Sequence, residues 1–194
     1  MKLLHFFVSL YFFAMLVDAK TGDVRIDEEK NYEKYQDIKM ALENKDKKSW
    51  LYYRSYSRKT NGVEHTCVYA LVEGKTEGDN AYNFEQGYTI SNGEGKSMVK
   101  DKLLATTYKT PNREDREKEN AMKVTRREGN PGGKNYQLIY SDYRKCDILR
   151  VLSDQDSSQC ELYLHDEAVK EGVPQECGWV YGNACGKYHS SYKT

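Results

Sequence analysis

The sequence predicts a mainly β protein, an antiparallel up-and-down barrel of about eight strands with a helix near each end of the chain. Three observations carry this expectation. Runs of alternating apolar and polar residues recur from Trp50 to His165, and turn residues separate them at short intervals. No link between the runs is long enough for the crossover helix that a parallel pair requires. With 194 residues the chain suits one domain better than two.

Residues 3–17 come first, an apolar run after Lys2 that leads into Val17-Asp18-Ala19, small at its last position. This is the pattern of a secretory signal peptide, too short to span a membrane. Cleavage is expected after Ala19, leaving a single domain over 20–194 that is extracellular and has no membrane attachment. From residue 27 to 45, Tyr32, Tyr35, Ile38 and Leu42 recur at three- to four-residue spacing behind Asp27-Glu28-Glu29, which predicts one amphipathic helix with acids at its positive end. The period then changes to two. Trp50, Tyr52, Arg54 and Tyr56 alternate with Leu51, Tyr53 and Ser55, and Asn61-Gly62 supplies a tight hairpin turn.

Further strands are expected at 63–73, 81–90, 97–108, 120–127, 134–141, 146–152 and 161–165. Turn signals divide them, at 91–93, 110–112, 129–133 and 153–156. A last helix opens near Pro174, buries Cys177, Val180, Tyr181 and Ala184 on one face, and stops at Gly186.

Composition narrows the function. Lys and Arg total 30 against 30 for Asp and Glu, without a basic block, so nucleic acid is not an expected partner. The 17 Tyr against 5 Phe describe an interior that is aromatic and polar at once. Five Cys in an oxidising compartment read as disulfides before catalytic thiols, with one left over. No Asn-x-Ser/Thr glycosylation site occurs. There is no His-Glu-x-x-His, no Cys-x-x-Cys, no phosphate loop and no nucleophile elbow, so neither a metal, a cofactor nor an enzyme is expected. An eight-stranded barrel encloses room for one small ligand, which makes binding the default function.

The residues also carry a family resemblance. The run from Tyr140 through Asp142, Tyr143, Cys146 and Asp147 to Leu149, then Cys160 to Leu164, then Val173 to Cys177, resembles the tick salivary lipocalins of the histamine-binding protein family. The aromatic strand at 50–56 and His65-Thr66-Cys67 fall where that family also has an aromatic strand and its first cysteine. The resemblance implies a lipocalin (calycin) barrel, secreted in saliva and monomeric, that sequesters a small host mediator and so modulates host immunity. It also implies the bridges Cys146–Cys177 and Cys160–Cys185. Cys67 either stays free, the preferred reading, or captures Cys185 and leaves Cys160 odd.

A buried ammonium needs carboxylates and aromatic faces. By resemblance, Glu161 and Asp147 match acidic amine ligands, Tyr163 stands at a tryptophan position and Tyr56 matches a pocket tyrosine. Trp50 and Tyr52 complete the expected aromatic wall. Departures weaken the match: Gln137 replaces an inward acid, Met122 and Val124 replace an aromatic pair, and Arg58-Lys59-Thr60 replaces another acid. Arg54 could instead meet a ligand carboxylate. The expected ligand is therefore a biogenic amine, histamine or serotonin. A lipid mediator such as a leukotriene or fatty acid is the second reading, and a host immune protein bound by a filled scaffold is the third.

Overall fold

The computed structural model describes residues 26–76, 80–92, 95–111, 115–128, 132–153, 159–186 and 190–191. The expected signal peptide, residues 1–19, lies outside them, as do parts of the turns at 91–93, 110–112, 129–133 and 153–156. In chain order the strands are β1 (Lys48–Arg54), β2 (Lys59–Thr60), β3 (Val63–Glu64), β4 (Thr66–Lys75), β5 (Ala81–Asn92), β6 (Gly95–Tyr108), β7 (Ala121–Arg126), β8 (Gly133–Ser141), β9 (Cys146–Leu152), β10 (Cys160–His165) and β11 (Ser190–Ser191). The helices are α1 (Ile38–Leu42) and α2 (Gln175–Cys185).

Eight of these strands form one closed antiparallel barrel. β1 and β4 to β10 each pair with the next in sequence, and β10 returns to β1 with Ser49 opposite His165 and Arg54 opposite Glu161. Closure leaves no open edge among the eight. The Asn61-Gly62 turn makes its own small hairpin from β2 and β3, with both residues at positive φ as a primed turn requires.

The described residues form two cores. Inside the barrel, Leu51, Phe84, Leu103, Met122 and Leu138 cluster with Ile38 and Ala41 of α1, which closes one end. Outside it, Ile148, Leu162 and Leu164 pack under Val180 and Tyr181 of α2. Every residue of β10 is buried, because one side of the strand faces the interior and the other lies under this outer layer. The bridges Cys146–Cys177 and Cys160–Cys185 tie α2 to β9 and β10, and Cys67 is the free cysteine.

The N-terminal segment departs from the expected single helix over 27–45. It forms 3-10 turns at Ile26–Glu28 and Lys30–Tyr35, then α1 after Asp37, whose Oδ1 caps the Met40 N–H at 3.1 Å. The reason lies in the apparent stripe. Tyr32 and Tyr35 pack on the outer core, whereas Ile38 and Leu42 pack on the inner one, and no straight helix can face both. The break is held by Gln36, whose amide donates to the carbonyls of Ile26 (3.1 Å) and Ile139 (2.9 Å). Arg116 adds bonds to Gln36 Oε1 (2.8 Å) and to the Asp27 carbonyl (2.7 Å).

Candidate functional site

A cavity of about 420 Å³ occupies the barrel, within the usual range for small-ligand pockets. Its middle is an apolar belt that includes Phe84, Leu103, Met122, Leu138 and Leu149. Two polar poles flank the belt, and both owe their position to the alternation of β10. Glu161, Tyr163 and His165 point inward while Leu162 and Leu164 point out. Glu161 and His165 are four residues apart, about 13 Å along the strand.

At the first pole the Glu161 carboxylate accepts from the Tyr56 hydroxyl and, at 3.0 Å, from the Tyr163 hydroxyl. Burial, and then the negative charge of Glu161, push the Tyr56, Tyr136 and Tyr163 hydroxyls well above their ordinary values, so all three stay protonated donors. Two cations border this carboxylate. Arg58 Nη1 donates to Gln86 Oε1 at 3.2 Å, and the Lys134 ammonium lies 5.6 Å from the Tyr56 ring centroid. Burial and the neighbouring Arg58 guanidinium depress Lys134.

At the second pole, His165 Nε2 lies 3.0 Å from Asp147 Oδ2 and its Nδ1 lies 3.2 Å from the Asp46 carbonyl. Asp147 stands beside this ring because β9 pairs with β10, placing it opposite Tyr163. The other oxygen, Asp147 Oδ1, is buried on the cavity wall with no hydrogen-bond partner among the described residues. A buried carboxylate oxygen without a donor is costly and is an acceptor available to a ligand.

Of the residues expected to bind, the structure brings Asp147, Glu161 and Tyr163 to the cavity wall, with Tyr56 bonded to Glu161. Four others sit elsewhere. Trp50 faces outward, its Nε1 donating to Asp166 Oδ1 and its ring under the Lys48 ammonium at 4.1 Å. Tyr52 packs on the outer core, 5.0 Å from Tyr53. Arg54 is buried against the His65 carbonyl (3.0 Å) and 3.5 Å from Glu64 Oε1. Gln137 donates to the Asp27 carbonyl at 3.3 Å on the outer wall. A bulge in β1 between Leu51 and Tyr53 breaks the expected alternation, so Leu51 and Ser49 take the inward positions.

Polar wall residues outside the expected ligand set include His165, Asp46, Arg58 and Lys134. For His165 the signal existed, since it continues the alternation of Glu161 and Tyr163. Arg58 follows β1 outside any regular element, where periodicity is silent. Among the described residues one cluster, Asp142 with Cys146 and Cys177, has the spacing of a metal site. Its sulfurs are bonded to each other and so offer no thiolates.

Comparison with known proteins agrees with this geometry. The family model described as tick histamine binding protein matches residues 26–194. No curated protein sequence matches the chain. Among solved structures, Japanin from Rhipicephalus appendiculatus bound to cholesterol is similar at a TM-score of 0.55 and 13% identity, covering 76% of this chain and 93% of that one. The amine binding protein of Rhodnius prolixus, solved as a tryptamine complex, is similar at 0.41 and 16%, covering 72% and 74%. With a closed lipocalin barrel, a ligand-sized cavity and a family match over nearly its whole described length, this chain belongs to the tick histamine-binding protein family and is a small-ligand-binding lipocalin.

Proposed function

We propose that the protein captures a biogenic amine, histamine or serotonin, inside its barrel as a secreted and monomeric scavenger of a host mediator. It would be exported by residues 1–19 and act through 20–194, as a binding protein rather than a catalyst. The observation that carries this reading is Asp147: a carboxylate on the cavity wall, with one oxygen held by His165 and the other without a partner among the described residues. An ammonium supplies the donors this oxygen lacks and a positive charge for the buried acid. The apolar belt and the Tyr163 ring receive the aromatic body, and Glu161 extends the acidic wall.

Titration calorimetry with histamine, serotonin and a leukotriene tests the assignment. Micromolar or tighter binding of an amine is expected, and no heat with either amine would sink the reading. That second ligand class is favoured by a specific feature: Arg58 and Lys134 on the cavity wall place two cations around Glu161, which could meet a lipid carboxylate. A plugged interior would have favoured the host-protein reading, and the hollow barrel lends it no such support.

A further inference from the structure

His165 lies outside the ligand set expected from the sequence, yet its surroundings assign it a part in the amine site, a part that rests on the proposed amine function. Its Nδ1 is 3.2 Å from the Asp46 carbonyl, and a carbonyl oxygen only accepts, so Nδ1 carries a proton in every charge state. Nε2 has two partners of opposite kind. Asp147 Oδ2, at 3.0 Å, accepts a proton, while Asn44 Nδ2, at 3.4 Å, offers one. The Asn44 amide is oriented for this because its Oδ1 accepts from the Asp46 N–H at 3.2 Å. Nε2 is therefore provided for both as an N–H toward Asp147 and as a lone pair toward Asn44.

The two states treat a ligand differently. With Nε2 protonated, Asp147 is neutralised by the imidazolium, and a second cation would leave one charge unbalanced in the cavity. With Nε2 deprotonated, the Asp147 carboxylate is uncompensated and the lone pair stands beside it, two acceptor groups for the three donors of a primary ammonium. We propose that a primary ammonium binds between Asp147 and His165 Nε2 by proton exchange. The Nε2–H bond of the imidazolium breaks, the proton leaves to solvent, and the ammonium donates to the carboxylate and to the freed lone pair. Net charge in the site is unchanged.

The charged and titratable groups facing this pole come from three elements. Asp147 stands on β9, Asp46 and Lys47 precede β1, and Tyr143, between β8 and β9, senses the charge of Asp147. Lys48 is engaged over Trp50, and Lys145 is paired with Glu171. Burial opposes charging of His165, but the Asp147 hydrogen bond and charge, with Asp46, outweigh it and hold the ring above its ordinary value. The exchange is therefore centred above the pH at which a free imidazole titrates.

The test is calorimetry of the whole secreted chain with serotonin, whose ammonium stays charged throughout, in phosphate and in Tris from about pH 6 to about pH 9. Below the ring's midpoint the buffer dependence of the heat should report close to one proton released per amine. Affinity should rise about tenfold per pH unit there and level off above it. His165→Gln should bind serotonin without buffer dependence. Equal heats in both buffers would overturn the exchange, as would undiminished release in the variant; the two-buffer result on the unaltered protein decides even if the variant does not fold. Absence of any amine heat is a different failure, which removes the amine reading and the exchange with it.

Discussion

Arg150 and Asp27 form a bidentate ion pair on the outer wall of the barrel, with Nε 2.8 Å from Oδ2 and Nη2 3.1 Å from Oδ1. Both side chains are almost wholly buried, at 5% and 1% exposure, and Arg150 Nη2 also donates to the Ala184 carbonyl at 3.1 Å. The pair thus joins the N-terminal segment, β9 and the end of α2. Asp27→Ala leaves a guanidinium buried without its countercharge and is expected to cost about 3 to 5 kcal/mol. Urea unfolding measures this, and a loss below about 1 kcal/mol, the worth of an exposed pair, would contradict it.

Gly87 is required by Tyr69. A Cβ at residue 87 would lie 2.1 Å from Tyr69 Cε1, and the ring has little freedom because its hydroxyl donates to Glu85 Oε1 at 2.6 Å. Lys100 and Lys102 also hold Glu85, at 3.3 and 3.0 Å. The Tyr69 hydroxyl, with these lysines, keeps the Glu85 carboxyl down at about 2. Gly87→Ala is expected to destabilise by about 1 to 3 kcal/mol through overpacking. Thermal unfolding should show this, and the double change Gly87→Ala with Tyr69→Ala should recover part of the loss left by the first.

The two cavity acids should not be equivalent. Asp147→Asn removes the charge at the oxygen that lacks a donor and is expected to weaken serotonin binding about 10- to 100-fold, the worth of a charged hydrogen bond. Glu161 is already engaged by Tyr56 and Tyr163 and bordered by Arg58 and Lys134, so Glu161→Gln should weaken the amine less and strengthen a fatty acid. Equal losses in both variants by calorimetry would place the ammonium at the wrong pole.

Stability should fall in mild acid through His65. Its ring stacks on Tyr88 with centroids 3.9 Å apart, and Nε2 meets Thr60 Oγ1 at 2.8 Å. Burial and the nearby Arg58 and Arg54 lower it from 6.5 to about 4. The unfolded chain then takes the proton first, so the contribution is full above the unfolded value and disappears as the pH falls toward about 4. The loss should be about 2 to 3 kcal/mol. His65→Gln should flatten that part of the stability profile relative to the unaltered protein, and parallel profiles would count against it.

The barrel strands were legible because an inner and an outer face impose a two-residue period, and short turns left only antiparallel neighbours. The period failed at one place with consequences for the site. The bulge at Leu51/Tyr53 turned Trp50 outward, and a bulge is a property of the pairing with β10 rather than of either strand read alone. The N-terminal stripe misled for a related reason: Tyr32 and Leu42 obey one helical spacing but belong to different cores.

By itself the sequence determined the closed β architecture, the terminal helix ending at Gly186, both bridges by family resemblance, and an inward face carrying Glu161 and Tyr163. Tertiary structure alone decided that Arg58 and Lys134 border Glu161, that Arg54 turns to Glu64, and that Asp147 meets His165. Alternation says which side a residue faces. Which residues of different strands share a level, and which charges are left without partners, depends on register and closure, and those emerge only when the whole sheet curls around its cavity.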